Sequence, residues 1–217
     1  HACSVNSWDW DLLIGNVYGR LAGPFGPRYR ILGADLAGVV EAVGEDVTRL
    51  TPGDAVAGDM AEHGFGGFAE YVVASEGAFV AKPDALSFEE AAAVPQAGLL
   101  AHQALRWRRP VAQGDHILVI GAGGGCGSFA VQLAKRMGAT VTAVDHGRKL
   151  DFMSGLGADR VMDYEREDFA ASGERYDRIV DPVAHRPMSV YRRALAVCGP
   201  ISASSPPAEP KSGGASE

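Results

Sequence analysis

The hydrophobic pattern is sharpest between residues 116 and 145. Ile117-Leu118-Val119-Ile120 is a short run rich in β-branched residues. A glycine-rich turn follows, Gly121-Ala122-Gly123-Gly124-Gly125-Cys126-Gly127. The turn opens onto a stretch in which Phe129, Ala130, Leu133, Ala134 and Met137 recur at helical spacing. Gly138 stops that helix, a second apolar run covers 140–144, and Asp145 closes it. The pattern predicts a βαβ unit with a dinucleotide fingerprint at its first turn. Glycines there let the backbone turn tightly and approach a pyrophosphate, and a helix N-terminus offers it N–H groups and a positive dipole end. Two registers are possible. Gly121-x-Gly123-x-x-Cys126 ends on a side chain, whereas Ala122-x-Gly124-x-x-Gly127 ends on a glycine where close helix–sheet packing needs one. The second is preferred.

Residues 1–96 read as β-rich. Strands are expected at 39–44 and 68–74, with a turn at Pro52-Gly53-Asp54. Ser87 followed by Glu90 is a capping-box pattern that starts a helix. Pro95 interrupts it, and 98–107 continues as helix. From Gly114 onward, strands near 116–120, 140–144, 160–162 and 177–181 alternate with helices near 126–137, 147–155 and 187–195. This alternation predicts a parallel, doubly wound sheet. The residues from 202 to 217 are, apart from Lys211, Ser, Pro, Ala, Gly and Glu without periodicity, and are expected to be disordered.

Composition narrows the function. The 217 residues are 47% hydrophobic and carry a net charge of −7 with both signs interspersed. That leaves no basic footprint for nucleic acid and no polybasic membrane patch. Cys3, Cys126 and Cys198 are scattered, without a disulfide framework or a C-x-x-C pair, which suits a reducing cytoplasm. Residues 117–134 are uncharged, but five glycines between 121 and 127 argue for strand–turn–helix rather than a membrane span. No secretory signal is visible; the chain begins at His1, so a leader can be missing.

Several segments together resemble the medium-chain dehydrogenase/reductase superfamily, in its zinc-free quinone-reductase-like branch. They are Ala2-Cys3-Ser4-Val5-Asn6 with Asp9-Trp10, Ile31-Leu32-Gly33-Ala34-Asp35-Leu36-Ala37-Gly38, and Val43-Gly44 with Val47-Thr48. They continue with Pro52-Gly53-Asp54-Ala55-Val56, Gly66-Gly67-Phe68-Ala69-Glu70-Tyr71, Ala91-Ala92-Ala93-Val94-Pro95-Gln96 and the glycine loop. Leu156-Gly157-Ala158-Asp159, Asp163-Tyr164 and Tyr176-Asp177 complete the set. The resemblance implies an α/β protein: a GroES-like β domain over 1–96 lacking its first strands, a truncated, doubly wound Rossmann domain over 97–200, and a disordered tail over 201–217. It implies a hydride transferred between NAD(P)H and a quinone or α,β-unsaturated carbonyl. The alternatives are an alcohol dehydrogenase or enoyl reductase of another substrate class, and a non-catalytic dinucleotide-binding fragment. Members often form homodimers through the last Rossmann strand, an expectation left open for this chain.

Zinc-dependent members use a cysteine near the start and a Gly-His-Glu segment. The matching positions here are Asn6 and Gly33-Ala34-Asp35, and the structural-zinc lobe would fall at 60–66, which has no cysteine. A catalytic zinc needs three strong ligands, so no metal is expected. Expected cofactor contacts are Ala122, Gly123, Gly124, Gly125, Cys126 and Gly127 at the loop, Asp145, Arg148 and Lys149 at the ribose, Tyr164 at the adenosine end and Val183 at the nicotinamide side. Asp145 favours NAD and the Arg148/Lys149 pair favours NADP, so the two stay open. Cys126 is either a thiol activated at a helix N-terminus or a small packing residue. Asn6 is the first candidate for stabilising the developing oxyanion, or else a structural residue holding its loop. Asp9, with Trp10, shapes the pocket.

Overall fold

The computed structural model describes residues 1–15, 29–196 and 199–203. The chain divides into two compact units, His1–Gln96 and Ala97–Glu217.

The first unit is built on a four-stranded antiparallel sheet in the order β1 (Ala2–Cys3), β2 (Asp35–Val39), β3 (Ala55–Asp59), β4 (Phe79–Ala81). Its central pair sets Ala37 opposite Ala57 and Gly38 opposite Val56. Helix α1 (Ser7–Ile14) follows β1, and α2 (Phe88–Ala92) packs Ala91 and Ala92 against Ala37 and Ala57. The capping box at the start of α2 is formed: Ser87 Oγ accepts from the Glu90 amide at 3.1 Å and Glu90 from the Ser87 amide at 2.8 Å. Two expected strands are corrected. The ladder of β2 ends at Val39, because residues 41–44 are exposed and have no face to bury. Residues 68–74 join no ladder among the described residues; Tyr71 and Val73 point into solvent. Alternation alone does not make a strand where no partner lies alongside.

The second unit holds a parallel sheet in the order β7 (Arg160–Asp163), β6 (Thr140–Asp145), β5 (His116–Ile120), β8 (Arg178–Asp181), β9 (Ile201–Ala203). Helices α3 (Pro95–Arg106), α4 (Gly125–Arg136), α5 (Leu150–Gly155) and α6 (Met188–Ala194) accompany it. The period of two sorts side chains between two cores. Ile117 and Val119 face a layer with Ala130, Val131 and Ala134 of α4, while Leu118 faces the opposite layer with Met162, Tyr176 and Tyr191. β9 corrects the expectation of disorder from residue 201. Ile201 pairs with Ile179 and packs against the second core, so a three-residue strand forms where a lone apolar residue gave no periodic signal. The remainder of the expected tail, 204–217, lies outside the described residues, as does Cys198. No described helix is long and apolar enough to cross a membrane.

Arg178 ties β8 to the end of α3. It is fully buried, and its two terminal nitrogens donate to the carbonyls of Ala104 at 2.6 Å and Arg109 at 2.5 Å. Its Nε has no partner among the described residues. Carbonyls at a helix C-terminus lack intrahelical donors, and a forked guanidinium supplies two at once. Burial, reinforced by the charge of Arg109, holds the Arg178 pKa below the usual arginine value. Arg178→Met should fill the volume but leave both carbonyls without a donor, costing about 2–4 kcal/mol of stability. Urea unfolding of the variant measures this; a loss under about 0.5 kcal/mol, the level of an ordinary surface substitution, would show that water replaces the guanidinium.

Candidate functional site

The sheet order places the glycine turn at a switch point. The chain runs outward from β5 through β6 to β7, then returns to the other side of β5 as β8. Such a reversal leaves a crevice at the C-terminal ends of the two central strands, and the turn at 121–127 follows one of them. Ala122 is buried and its amide donates to the Val144 carbonyl at 3.1 Å; the Gly124 amide returns to the Gly121 carbonyl at 3.0 Å. Gly127 has no room for a side chain. A Cβ there would lie 2.7 Å from Ala122 Cα and 2.8 Å from the Gly121 carbonyl carbon. Gly124 caps α4, and the next three amides, of Gly125, Cys126 and Gly127, donate to no acceptor outside the helix among the described residues. They are the helix's unpaired N-terminal donors.

Cys126, in the first turn of α4, packs on the core, and burial pushes its thiol up to about 11. Burial therefore favours the neutral thiol and the packing role. The residue lines a cavity of about 290 Å³ with Leu100, Trp107 and Pro182.

Asp145 ends β6 and is buried. Its Oδ2 accepts from the Gly123 amide at 2.8 Å and its Oδ1 from the His146 amide at 2.7 Å, while Lys149 Nζ lies 3.2 Å away. The stem of Lys149 crosses the turn: a Cβ on Gly123 would meet Lys149 Cδ at 2.5 Å. Arg148 is exposed and makes no ion pair with the described residues. Tyr164 follows β7, is half exposed, and stands edge-on to His146 with ring centroids 6.0 Å apart. Val183 follows β8, half exposed, and its Cγ2 lies 2.7 Å from where a Cβ on Gly121 would stand. The structure thus gathers residues 121–127, 145, 149 and 183 around one turn.

Asn6 and Asp9 stand in the first unit. Asp9 is buried, and its two oxygens accept the amides of Asn6 and Gly33, each at 2.9 Å. Gly33 is obligatory at that contact. Its φ is +95° and a Cβ would lie 2.6 Å from the Phe68 nitrogen. The Asn6 side chain donates to Ser4 Oγ at 3.2 Å and to Asp35 Oδ2 at 3.1 Å, and faces the Asp9 amide in the return half of a capping box. Its amide nitrogen therefore has two acceptors inside the protein. This geometry favours the loop-holding role for Asn6 over donation to an oxyanion.

Asp35 is the residue that sequence reasoning passed over as a working group. It is fully buried, and its carboxylate also accepts from the Gln96 amide at 3.1 Å and the Ser4 hydroxyl at 3.3 Å. Burial, with Asp59 adding repulsion, pushes its pKa up to about 6 against the pull of those donors. Asp163 and Asp181 were not among the expected site residues; like Asp145, each is a buried aspartate that ends a strand. An acid closing each apolar run was the available signal. Among the described residues no group of three or more His, Cys, Asp or Glu side chains could hold a metal ion.

Two family models match the chain, an alcohol dehydrogenase GroES-like domain over residues 1–84 and a zinc-binding dehydrogenase over 125–209. The chain is 39% identical over 211 residues to a chloroplastic quinone-oxidoreductase, QR1, of Triphysaria versicolor, covering 92% of this chain and 63% of that protein. The chain belongs to the medium-chain dehydrogenase/reductase superfamily, in its quinone-oxidoreductase-like branch. The quinone oxidoreductase of Coxiella burnetii superposes with a TM-score of 0.83 at 34% identity, covering 93% of this chain and 63% of that one. A mycobacterial protein solved in complex with NADPH superposes at 0.80 with 29% identity, covering 96% and 66%. The fold is therefore a GroES-like unit and a Rossmann-like parallel sheet.

Two outcomes follow from this geometry. Gly127→Ala should cost about 1–3 kcal/mol through overpacking against rigid backbone, read as a lowered melting temperature; an unchanged melt would show that α4 can shift. For Asp35 the folded-state pKa lies above the ordinary 3.8, so its contribution to stability is full below about pH 4, falls as pH rises towards 6, and is absent above. Asp35→Asn cannot titrate. The stability difference between variant and wild type should move about 2 kcal/mol in the variant's favour from pH 4 to pH 7. Urea unfolding at the two pH values measures it, and a constant difference would contradict the burial cost.

Proposed function

We propose that this protein transfers a hydride between NAD(P)H and a quinone or α,β-unsaturated carbonyl, without zinc. The chain spans 63% of the length of the QR1 relative, so activity and substrate are our reading. The observation that carries it is the turn at 121–127, with its side-chain-free contact at Gly127 and three unpaired amides at the head of α4. That cradle fits a pyrophosphate, which needs backbone donors and close approach. When bound, the dinucleotide supplies the hydride.

The chain's own residues would bind and orient. The amides of Gly125, Cys126 and Gly127 would face the pyrophosphate, with Ala122, Gly123 and Gly124 keeping the backbone exposed to it. Tyr164 would flank the adenosine end, and Val183 the nicotinamide side. Asn6 and Asp9 would hold the segment after β1 in shape, since their polar atoms are engaged with Ser4, Asp35 and Gly33. A quinone is a cross-conjugated enone, so one binding mode serves both substrate classes. Hydrogen bonds, rather than a metal, would then stabilise the enolate. The positions matching the zinc ligands of relatives, Asn6 and Ala34, offer a weak donor and none.

NADPH is our preferred cofactor. The Asp145 oxygens already accept two amides, and Lys149 neutralises the charge that would repel a 2′-phosphate. Arg148 stands exposed beside them, suited to pair with that phosphate. Titration followed by nucleotide fluorescence should show NADPH binding roughly tenfold tighter than NADH, about 1.4 kcal/mol. Arg148→Glu should remove that preference and leave NADH affinity unchanged. Tighter NADH binding would return the decision to Asp145. Binding of neither nucleotide by folded protein would overturn the proposed function, and stoichiometric zinc in the purified protein would overturn the metal-free mechanism.

A further inference from the structure

We propose that Asp181 and Tyr191 are positioning residues that set the nicotinamide end of the cofactor site by fixing the loop after β8. The inference rests on the dinucleotide-binding reading above.

Asp181 is the last residue of β8 and 1% exposed. A carboxylate so buried needs donors to offset its lost hydration. It takes three. Oδ1 accepts the amides of Val183 at 2.9 Å and Ala184 at 2.8 Å, and Oδ2 accepts the Tyr191 hydroxyl at 2.6 Å. Tyr191 lies on α6, also buried, and its oxygen in turn accepts the Arg186 amide at 3.3 Å. One carboxylate and one phenol therefore hold the amides of residues 183, 184 and 186. Within this loop Ala184 has a φ of +53°, a left-handed conformation that a residue with a Cβ adopts only when its surroundings hold it there.

The loop's form matters because of where it puts Val183. Its Cγ2 stands 2.7 Å from the position a Cβ on Gly121 would occupy, so it lies directly against the first residue of the glycine turn. Pro182 lines the cavity beneath with Cys126. A relaxed loop would move Val183 off Gly121 and change the shape of the crevice between β5 and β8. It would leave the adenosine end, at Asp145 and Tyr164 beyond β6 and β7, untouched. The hydroxyl stays a donor throughout the working pH range, because burial and the neighbouring Asp181 carboxylate both push the Tyr191 phenol up.

The separation of the two ends supplies the test. Two probes are titrated into wild type, Tyr191→Phe and Asp181→Asn: NADPH, and 2′,5′-ADP, which lacks the nicotinamide half. Tyr191→Phe keeps the ring and loses the bond to Oδ2. Asp181→Asn keeps an oxygen for the two amides and inverts the partnership with Tyr191. Each variant should bind NADPH about tenfold more weakly, the scale of one net hydrogen bond, with 2′,5′-ADP affinity within about twofold of wild type. A purely structural role would weaken both probes in step or neither, and either result overturns the proposal. If Tyr191→Phe does not fold, Asp181→Asn carries the same comparison. Wild type that binds neither probe refutes the dinucleotide reading itself, and this inference with it; wild type that binds both while the variants match it refutes the inference alone.

Discussion

The approach of α4 to the end of β5 leaves no volume for a side chain at residue 127, and the geometry of the second unit's candidate site descends from that contact. Because the backbone of Gly127 rests on Gly121 and Ala122, the first turn of the helix is held at the end of the central strand with its amides facing outward. The same packing places Ala130, Val131 and Ala134 against Ile117 and Val119. A helix that stood further off would lose both the layer of small side chains beneath it and the cradle above it.

Aspartates give the two units a common device. Asp9, Asp35, Asp145 and Asp181 are all buried, and each accepts at least one backbone amide from another segment, a loop in three cases and the start of α3 for Asp35. A carboxylate with two oxygens can hold two loops at once, and burial makes those bonds directional because water cannot substitute for them. Asp9 joins the start of α1 to Gly33; Asp145 joins β6 to the glycine turn. The arrangement is costly at Asp35, where Asp59 adds to the burden of burial.

The parts of the fold that could be read in the sequence were those whose apolar runs are dense. β5, α4 and β6 carry Ile, Leu and Val at unbroken periods, and the capping box at Ser87 and Glu90 is a local code. The first unit was less legible for a physical reason. Its central strands, Asp35–Val39 and Ala55–Asp59, are largely Ala, Gly and Asp: the Ala78 carbonyl leaves no room for a side chain at Gly58, and Ala57 packs against Ala91 and Ala92. Residues 68–74 alternate persuasively and find no ladder. At the site, the glycine turn announces itself, but Asp35 depends on Gln96, 61 residues away, and Asp181 on a tyrosine 10 residues on. Periodicity carries no record of such partners. The two acceptors of the Asn6 amide nitrogen likewise emerge only once Ser4 and Asp35 stand beside it.

The strand order has a consequence in time. β5 lies between β6 and β8, and its second edge is joined by residues as far along as Asp177, which accepts the His116 amide across 61 residues of chain. A chain emerging residue by residue completes β5, α4 and β6 first, and the apolar strand at the middle of the sheet then waits with one edge open until β8 has been made. Loop closure over such a span is slow compared with local pairing. The edge of β5 at Ile117, Leu118 and Val119 is therefore the part of the central strand with the longest wait for its partner, and the one most open to mispairing before β8 is made.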